Sequence, residues 1–195
     1  ERYREVLLAY LDGLEARLAD GKNLAGIQSV ASFFVSRVDT AIDPLLDAHT
    51  DPRAKDLRGK AAVANARLAY QIFEEISASD RWLRIAHSGG AVQRPLWAST
   101  GVKDKAYHPA KYVTELIAPD TVNTMPEATI YAAQSFTGEI SHSIAGTYAS
   151  SDEVFNQLAE LGISYDAVVT ELERDGIAKF HDAWEGLIAT ISAQL

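Results

Sequence analysis

The chain has 195 residues, 47% of them hydrophobic and 23% charged, which is the composition of an ordinary globular domain. Its formal net charge of −9 argues against non-specific binding to nucleic acids or anionic membranes, and the lack of cysteine excludes disulfides, thiolate catalysis and cysteine metal sites in this sequence. No run approaches the ~20 apolar residues of a membrane span, and residues 1–20 lack the apolar core of a signal peptide, so we expect a cytoplasmic protein.

The chain opens on a helical period. Apolar side chains recur every three or four residues from the start, which predicts an amphipathic helix up to the glycine-containing stretch 21–26. The repeating positions are Tyr3, Leu7, Tyr10, Leu14 and Leu18. A helix without a preceding cap suggests that the sequence begins inside a domain, and a trimmed or disordered N-terminus is the alternative.

Three short apolar runs, Ile27–Val35, Val92–Ala98 and Thr121–Met125, predict strands. The first run is rich in β-branched and aromatic residues and too short for a core helix, so we expect this strand to be buried on both faces. Each run stops at small, polar or basic residues, as strands do where α/β enzymes build sites at the carboxyl edge of a parallel sheet.

Helical patterns separate and follow the three runs. The predicted helices are Val38–Ala48, Leu57–Ser77, Arg81–Ala86, one from Pro126, one from a capping box at 150–153 to Gly162, Tyr165–Arg174, and one from Ile177 onward; His49–Lys55 and Gly138–Ser143 are predicted loops. Strands alternating with helices predict an α/β fold with a parallel sheet. A closed eight-stranded barrel takes about 250 residues, so this chain has room for about half of one.

Three segments carry a resemblance to a known family: residues 31–39 (ASFFVSRVD), 93–101 (QRPLWASTG) and 120–126 (DTVNTMP). They resemble bacterial transaldolases, and the resemblance runs over essentially all 195 residues. It implies that residues 1–195 are the C-terminal part of one (β/α)8 TIM-type barrel domain, with about three parallel strands and flanking helices.

The resemblance also implies an activity. Transaldolases transfer a dihydroxyacetone unit from sedoheptulose 7-phosphate to glyceraldehyde 3-phosphate through a lysine Schiff base, without metal or organic cofactor, in the non-oxidative pentose phosphate pathway. In the family the Schiff-base lysine, the acidic proton-transfer residues and a substrate-binding asparagine lie on earlier strands, upstream of Glu1. The expected partners are phosphorylated sugars and the missing N-terminal half of the barrel.

The lysines support that absence independently. A Schiff-base lysine must be neutral near pH 7, which requires burial or a cationic neighbour. No lysine falls inside an apolar strand, and all of them have polar, loop-like or charged surroundings in the sequence; they are Lys22, Lys55, Lys60, Lys103, Lys105, Lys111 and Lys179. We therefore expect no catalytic residue in this segment and no activity from the segment alone.

Four residues are expected to bind the substrate phosphate. Ser32 and Arg37 match family phosphate-binding positions after the sixth barrel strand, and Ser99 matches one after the seventh. Where the better-known family pattern has an arginine, this chain reads Thr100-Gly101, and Lys103 can supply the positive charge instead. From the residues alone, we would favour Ser32 as a small core residue and Arg37 as the start of a solvated helix, and the alternative for Lys103 is a solvated loop residue.

Other polar and aromatic residues have structural interpretations. Asn123 and Thr124 either present side chains to a ligand or satisfy loop backbone, which we favour. Trp97 is expected to pack, and Asp39 to form a structural salt bridge with Arg37, two residues earlier. The histidines, His49, His87, His108, His142 and His181, have no metal-ligand spacing.

Two further functional hypotheses stay open at this point. One is a scaffold of the same fold that binds sugar phosphates without turnover. The other is a different barrel enzyme acting on a phosphorylated sugar, such as an aldolase or epimerase, although such enzymes are not expected to carry all three motifs together.

Overall fold

A three-stranded parallel sheet organises the chain in the computed structural model, which describes residues 1–194. The strands are β1 (Ser29–Phe34), β2 (Gln93–Ala98) and β3 (Val122–Asn123), and β2 lies between the other two. Phe34 pairs with Ala98, and β3 pairs with the last half of β2. The three predicted strands and their parallel arrangement are confirmed, and their carboxyl ends meet at one edge.

Nine helices accompany the sheet within residues 1–194. They are α1 (Arg2–Ala19), α2 (Ser36–Asp47), α3 (Arg53–Leu57), α4 (Ala61–Ser77), α5 (Asp80–His87), α6 (Lys111–Thr114), α7 (Glu127–Gln134), α8 (Tyr148–Glu160) and α9 (Tyr165–Ser192). In this part of the chain we find no helix with the length and apolarity needed to span a membrane.

The helices cover one face of the sheet and form the core with it. Helix α1 packs against β1 and α4 against β2, and α8 lies on the other side of α4. Ala31, Val35 and Trp97 point into this layer and are buried. The Trp97 indole N–H donates to the carbonyl of Leu116 at 3.2 Å, and its ring packs edge-on against Phe33, so its predicted packing role is confirmed.

The opposite face of the sheet is open in this chain. Val30, Ser32 and Phe34 alternate with the buried residues of β1 and are exposed, Val30 to 38% and Phe34 to 42%. The prediction that the first strand is buried on both faces is therefore wrong within residues 1–194, because none of these residues covers this side. The sheet thus presents a mixed apolar and polar surface below its carboxyl edge.

Several helix boundaries differ from the predicted ones. The two predicted C-terminal helices are one continuous helix, α9, which runs through Gly176, because a single glycine lowers helix stability by only about 1 kcal/mol and other contacts outweigh it. The predicted capping box is also wrong: α8 begins earlier, after Thr147, with no side-chain cap. Helix α3 forms partly within the segment predicted as the loop His49–Lys55.

Helix α9 leaves its apolar stripe exposed. None of its residues is buried, although its first half contacts α2 and α8. Its exposed large apolar side chains lie from position 177 onward and are Ile177, Phe180, Trp184, Leu187, Ile188 and Ile191. The predicted stripe is present, but within residues 1–194 no segment buries it.

Candidate functional site

The carboxyl ends of β1 and β2 are joined by three hydrogen bonds. The Val35 N–H donates to the carbonyl of Ala98 at 2.9 Å, and the Ser36 N–H donates to the carbonyl of Ser99 at 3.1 Å. The hydroxyls of Ser36 and Ser99 also lie 3.0 Å apart, and either can donate. The first residue of α2 is therefore fixed to the first residue after β2, although 63 positions separate them in the sequence.

Ser99 has a backbone conformation that is rare for a residue with a side chain. Its φ is +55°, in the left-handed region, which costs a non-glycine residue roughly 1–2 kcal/mol. Its neighbours hold it there: Ser36 bonds it on one side, and the buried Thr100 donates its hydroxyl to the carbonyl of Thr124 at 2.8 Å on the other. The chain turns sharply after β2, and the half-buried Ser99 hydroxyl lies at the edge of the sheet.

Arg37 lies next to this serine pair in the first turn of α2. Its guanidinium carbon is 4.2 Å from the centre of the Phe34 ring, which belongs to the open face of the sheet. No carboxylate of residues 1–194 forms an ion pair with Arg37. The N–H donors of the half-buried guanidinium thus form no hydrogen bond or ion pair within residues 1–194.

The other two predicted phosphate ligands lie further from the serine pair. Ser32 is exposed on the same open face as Phe34, two residues and roughly 7 Å along β1 below the edge. Lys103 is exposed and lies beside Gly101, at the rim of a cavity of about 240 Å³. The structure therefore joins Ser99 to Ser36, the residue before Arg37, places Ser32 deeper, and places Lys103 to one side.

That cavity is acidic because α2 carries an aspartate on each turn of one face, at 39, 43 and 47. Asp39 is almost fully buried and accepts hydrogen bonds from the Ala62 N–H at 2.7 Å and the Tyr112 hydroxyl at 2.8 Å. It also lies 3.5 Å from the amine of Lys111, so Asp39 forms a salt bridge, but with Lys111 and not with Arg37, from which it was expected. The burial of Lys111, whose side chain is 10% exposed, was not predicted from the sequence.

The next two aspartates extend the same contacts. Asp43 accepts hydrogen bonds from the Gly59 N–H at 2.8 Å and the Tyr107 hydroxyl at 2.6 Å. Burial raises the pKa of the Asp43 carboxyl above its usual range, against the opposing effect of these hydrogen bonds. Asp47 pairs with Arg58 at 2.8 Å. The aspartates thus fasten α2 to the start of α4 and to the segment that follows Ser99, and so they support the site indirectly.

Asn123 and Thr124 satisfy local polar groups. The Asn123 amide donates to the carbonyl of Tyr112 at 3.4 Å, and its oxygen lies 3.0 Å from the Thr100 hydroxyl. The backbone N–H of Thr124 donates to the carbonyl of Trp97 at 2.9 Å. These contacts agree with the backbone-satisfying role favoured from the sequence.

Comparison with known protein families decides what kind of sheet this is. A family model described as transaldolase/fructose-6-phosphate aldolase matches residues 2–191. The chain belongs to this family. Its three parallel strands and flanking helices are accordingly the C-terminal part of a (β/α)8 barrel, and the open sheet face is a barrel-interior face.

Curated relatives agree with the family model. The chain is 55% identical to "Transaldolase 2" of Streptomyces coelicolor over 196 aligned residues, which cover 100% of this chain and 52% of that protein. It is 53% identical to the transaldolases of Saccharopolyspora erythraea and Mycolicibacterium smegmatis, again over 100% of this chain and 53% of each relative. The chain thus spans about half the length of the curated relatives it matches.

Proposed function

We propose that residues 1–195 form part of a single transaldolase barrel and supply its phosphate-binding site. The complete enzyme transfers a dihydroxyacetone unit from sedoheptulose 7-phosphate to glyceraldehyde 3-phosphate through a lysine Schiff base. This assignment places it in the non-oxidative pentose phosphate pathway. Its cytoplasmic location stays a prediction from the sequence.

The observation that carries the proposal is the guanidinium of Arg37, which has no ionic partner in residues 1–194 and directly follows Ser36, whose hydroxyl lies 3.0 Å from that of Ser99 at the carboxyl edge of the sheet. A sugar phosphate carries about two negative charges near neutral pH, and a guanidinium fork matches its oxygens in a bidentate pair. Barrel enzymes commonly bind phosphate at this edge.

Each predicted ligand then has a distinct role. Arg37 forms the charged hydrogen bonds to the phosphate, and the Ser99 hydroxyl donates one more. Ser32 donates from its deeper position on the same face. Lys103 adds an exposed positive charge, which attracts the substrate but is screened by water and salt.

The Schiff-base lysine is proposed to lie outside this sequence. Six of the seven lysines are exposed, and the exception, Lys111, lies in the helical layer. The Lys111 amine is held by Asp39 and by the carbonyl of Gly59, and it lies over the ring of Tyr107 at 4.1 Å. No lysine of residues 1–194 therefore combines burial with a position on a strand.

Borohydride trapping tests the proposal. The complete protein is incubated with sedoheptulose 7-phosphate and reduced, with a matched reaction that lacks the sugar as control. We expect a reduced dihydroxyacetone adduct on a lysine outside residues 1–195, transfer to glyceraldehyde 3-phosphate, and no adduct on the 195-residue chain by itself. An adduct on a lysine of residues 1–195 would contradict the proposal, and sugar-phosphate binding without any adduct would favour the scaffold hypothesis.

A further inference from the structure

The hydroxyls of Ser36 and Ser99 have one unused hydrogen between them. The two oxygens lie 3.0 Å apart and share one hydrogen bond, in which either can donate. Within residues 1–194 neither hydroxyl has another hydrogen-bond partner. Because each hydroxyl carries a single hydrogen, one donor of the pair is free to bind a ligand.

Exposure decides which hydroxyl meets the ligand. Ser36 is 2% exposed, so an anion cannot reach its side chain, whereas Ser99 is half-buried at the edge of the sheet. When the Ser99 hydroxyl donates to an anion, its oxygen is left to accept the hydrogen of Ser36. Such a chain strengthens its outer hydrogen bond, since each donor polarises the next.

We propose that Ser36 is a positioning residue that directs the Ser99 hydroxyl towards the substrate phosphate. The proposal rests on the proposed function, and it extends that function to a residue that the sequence did not single out. The backbone supports it independently, because the Ser36 N–H donates to the Ser99 carbonyl at 3.1 Å and so keeps the two side chains adjacent. Ser36 also directly precedes Arg37, so one short segment supplies both the charge and the orienting hydroxyl.

A double-mutant cycle in the complete protein tests this coupling. The variants are Ser36→Ala, Ser99→Gly and the double variant, and glycine is chosen because it accepts the positive φ of position 99. The readouts are the KM for sedoheptulose 7-phosphate and competitive inhibition by inorganic phosphate. We expect each single change to raise the KM and the inhibition constant of phosphate about 3- to 10-fold, with kcat changed less than about 2-fold. In the double variant the KM and the inhibition constant should be no higher than in Ser99→Gly alone.

Two further variants make the outcome decisive. Thr40→Ala removes another hydroxyl from α2, one that bonds the Ser36 carbonyl at 2.9 Å, and should leave both readouts unchanged. Ser36→Gly repeats the comparison without a buried methyl group, and circular dichroism confirms that each variant is folded. Multiplicative effects of the two serine changes would overturn the role of Ser36.

Arg37→Gln separates the two proposals, because an unchanged KM in that variant refutes the phosphate site itself.

Discussion

The guanidinium of Arg37 stacks on the ring of Phe34, with its central carbon 4.2 Å from the ring centre. Phe34 ends β1, and Arg37 lies in the first turn of α2, so the contact bridges the strand and the helix. The ring supports the cation on one face and leaves the N–H groups in the guanidinium plane available for hydrogen bonds. The strand thereby positions the charge that we assign to phosphate binding.

Replacing Phe34 by leucine should weaken phosphate binding without removing the charge. An exposed cation–π contact contributes about 0.5–1 kcal/mol, so the KM for phosphorylated substrates should rise about 2- to 5-fold. Phe34→Trp keeps an aromatic face and should retain most of the affinity. Steady-state kinetics with phosphorylated and unphosphorylated acceptors measure the effect, and an equal loss with both acceptors would contradict the stacking role.

Tyr112→Phe should destabilise the fold. The Tyr112 hydroxyl donates to the buried carboxylate of Asp39 at 2.8 Å, and its removal leaves a buried acceptor with one partner fewer. We expect the free energy of unfolding to fall by about 1–3 kcal/mol in urea titrations.

The matched control is Tyr131→Phe, which removes an exposed hydroxyl that donates to Glu127 at 3.0 Å. Its effect should stay within about 0.5 kcal/mol, because water replaces the lost partner. An equal fall in the free energy of unfolding in Tyr112→Phe and Tyr131→Phe would show that the hydrogen bond to Asp39 adds no specific stability.

Asp43 should make stability depend on pH. Burial raises the pKa of its carboxyl in the folded protein, so the folded state holds the proton more tightly than the unfolded state does. The wild type should therefore lose stability relative to Asp43→Asn as the pH rises from about 4 towards 7. Urea unfolding of both proteins across this range measures the difference in stability, and a wild type that gains stability relative to Asp43→Asn as the pH rises would contradict the prediction.

Alanine at the two glycines inside α9 should stabilise the helix. A side chain added at Gly186 meets nothing within 4 Å, and at Gly176 it meets only Arg37 Nη1, at an ordinary 3.9 Å. Each change to alanine should raise the free energy of unfolding by about 0.5–1 kcal/mol, measured by thermal or urea unfolding. A loss of stability in Gly176→Ala alone would show that Arg37 needs the space.

Local patterns predicted much of the fold. The three apolar runs became strands, and the helical period of residues 57–77 became α4, because burial of apolar side chains favours the same conformation locally and in the fold. The continuity of α9 could not be foreseen, since Gly176 at the predicted break is a common helix-ending residue and the structure continues the helix through it. The open face of β1 depends on which segments cover the sheet, and strand composition carries no information about that.

The candidate site was predictable only in part. Arg37 and Ser99 stood out because they follow strands and match family positions, and the register of β1 and β2 places them at one edge. Ser36 was missed because its role depends on a partner 63 residues away. The burial of Lys111 was missed for the same reason: its partner Asp39 lies 72 positions earlier in the chain, and the only local signal was aspartate at every fourth position of α2.

The most direct measurement is the kinetic comparison of Arg37→Gln with the wild type in the complete protein, using phosphorylated and unphosphorylated acceptors. Loss of charged hydrogen bonds to phosphate should raise the KM for glyceraldehyde 3-phosphate by about 10- to 100-fold and leave that for unphosphorylated glyceraldehyde nearly unchanged. Lys103→Gln should have a smaller effect that disappears at high salt. An Arg37→Gln enzyme that still discriminates between the two acceptors as the wild type does would contradict the assignment of this edge of the sheet as the phosphate site.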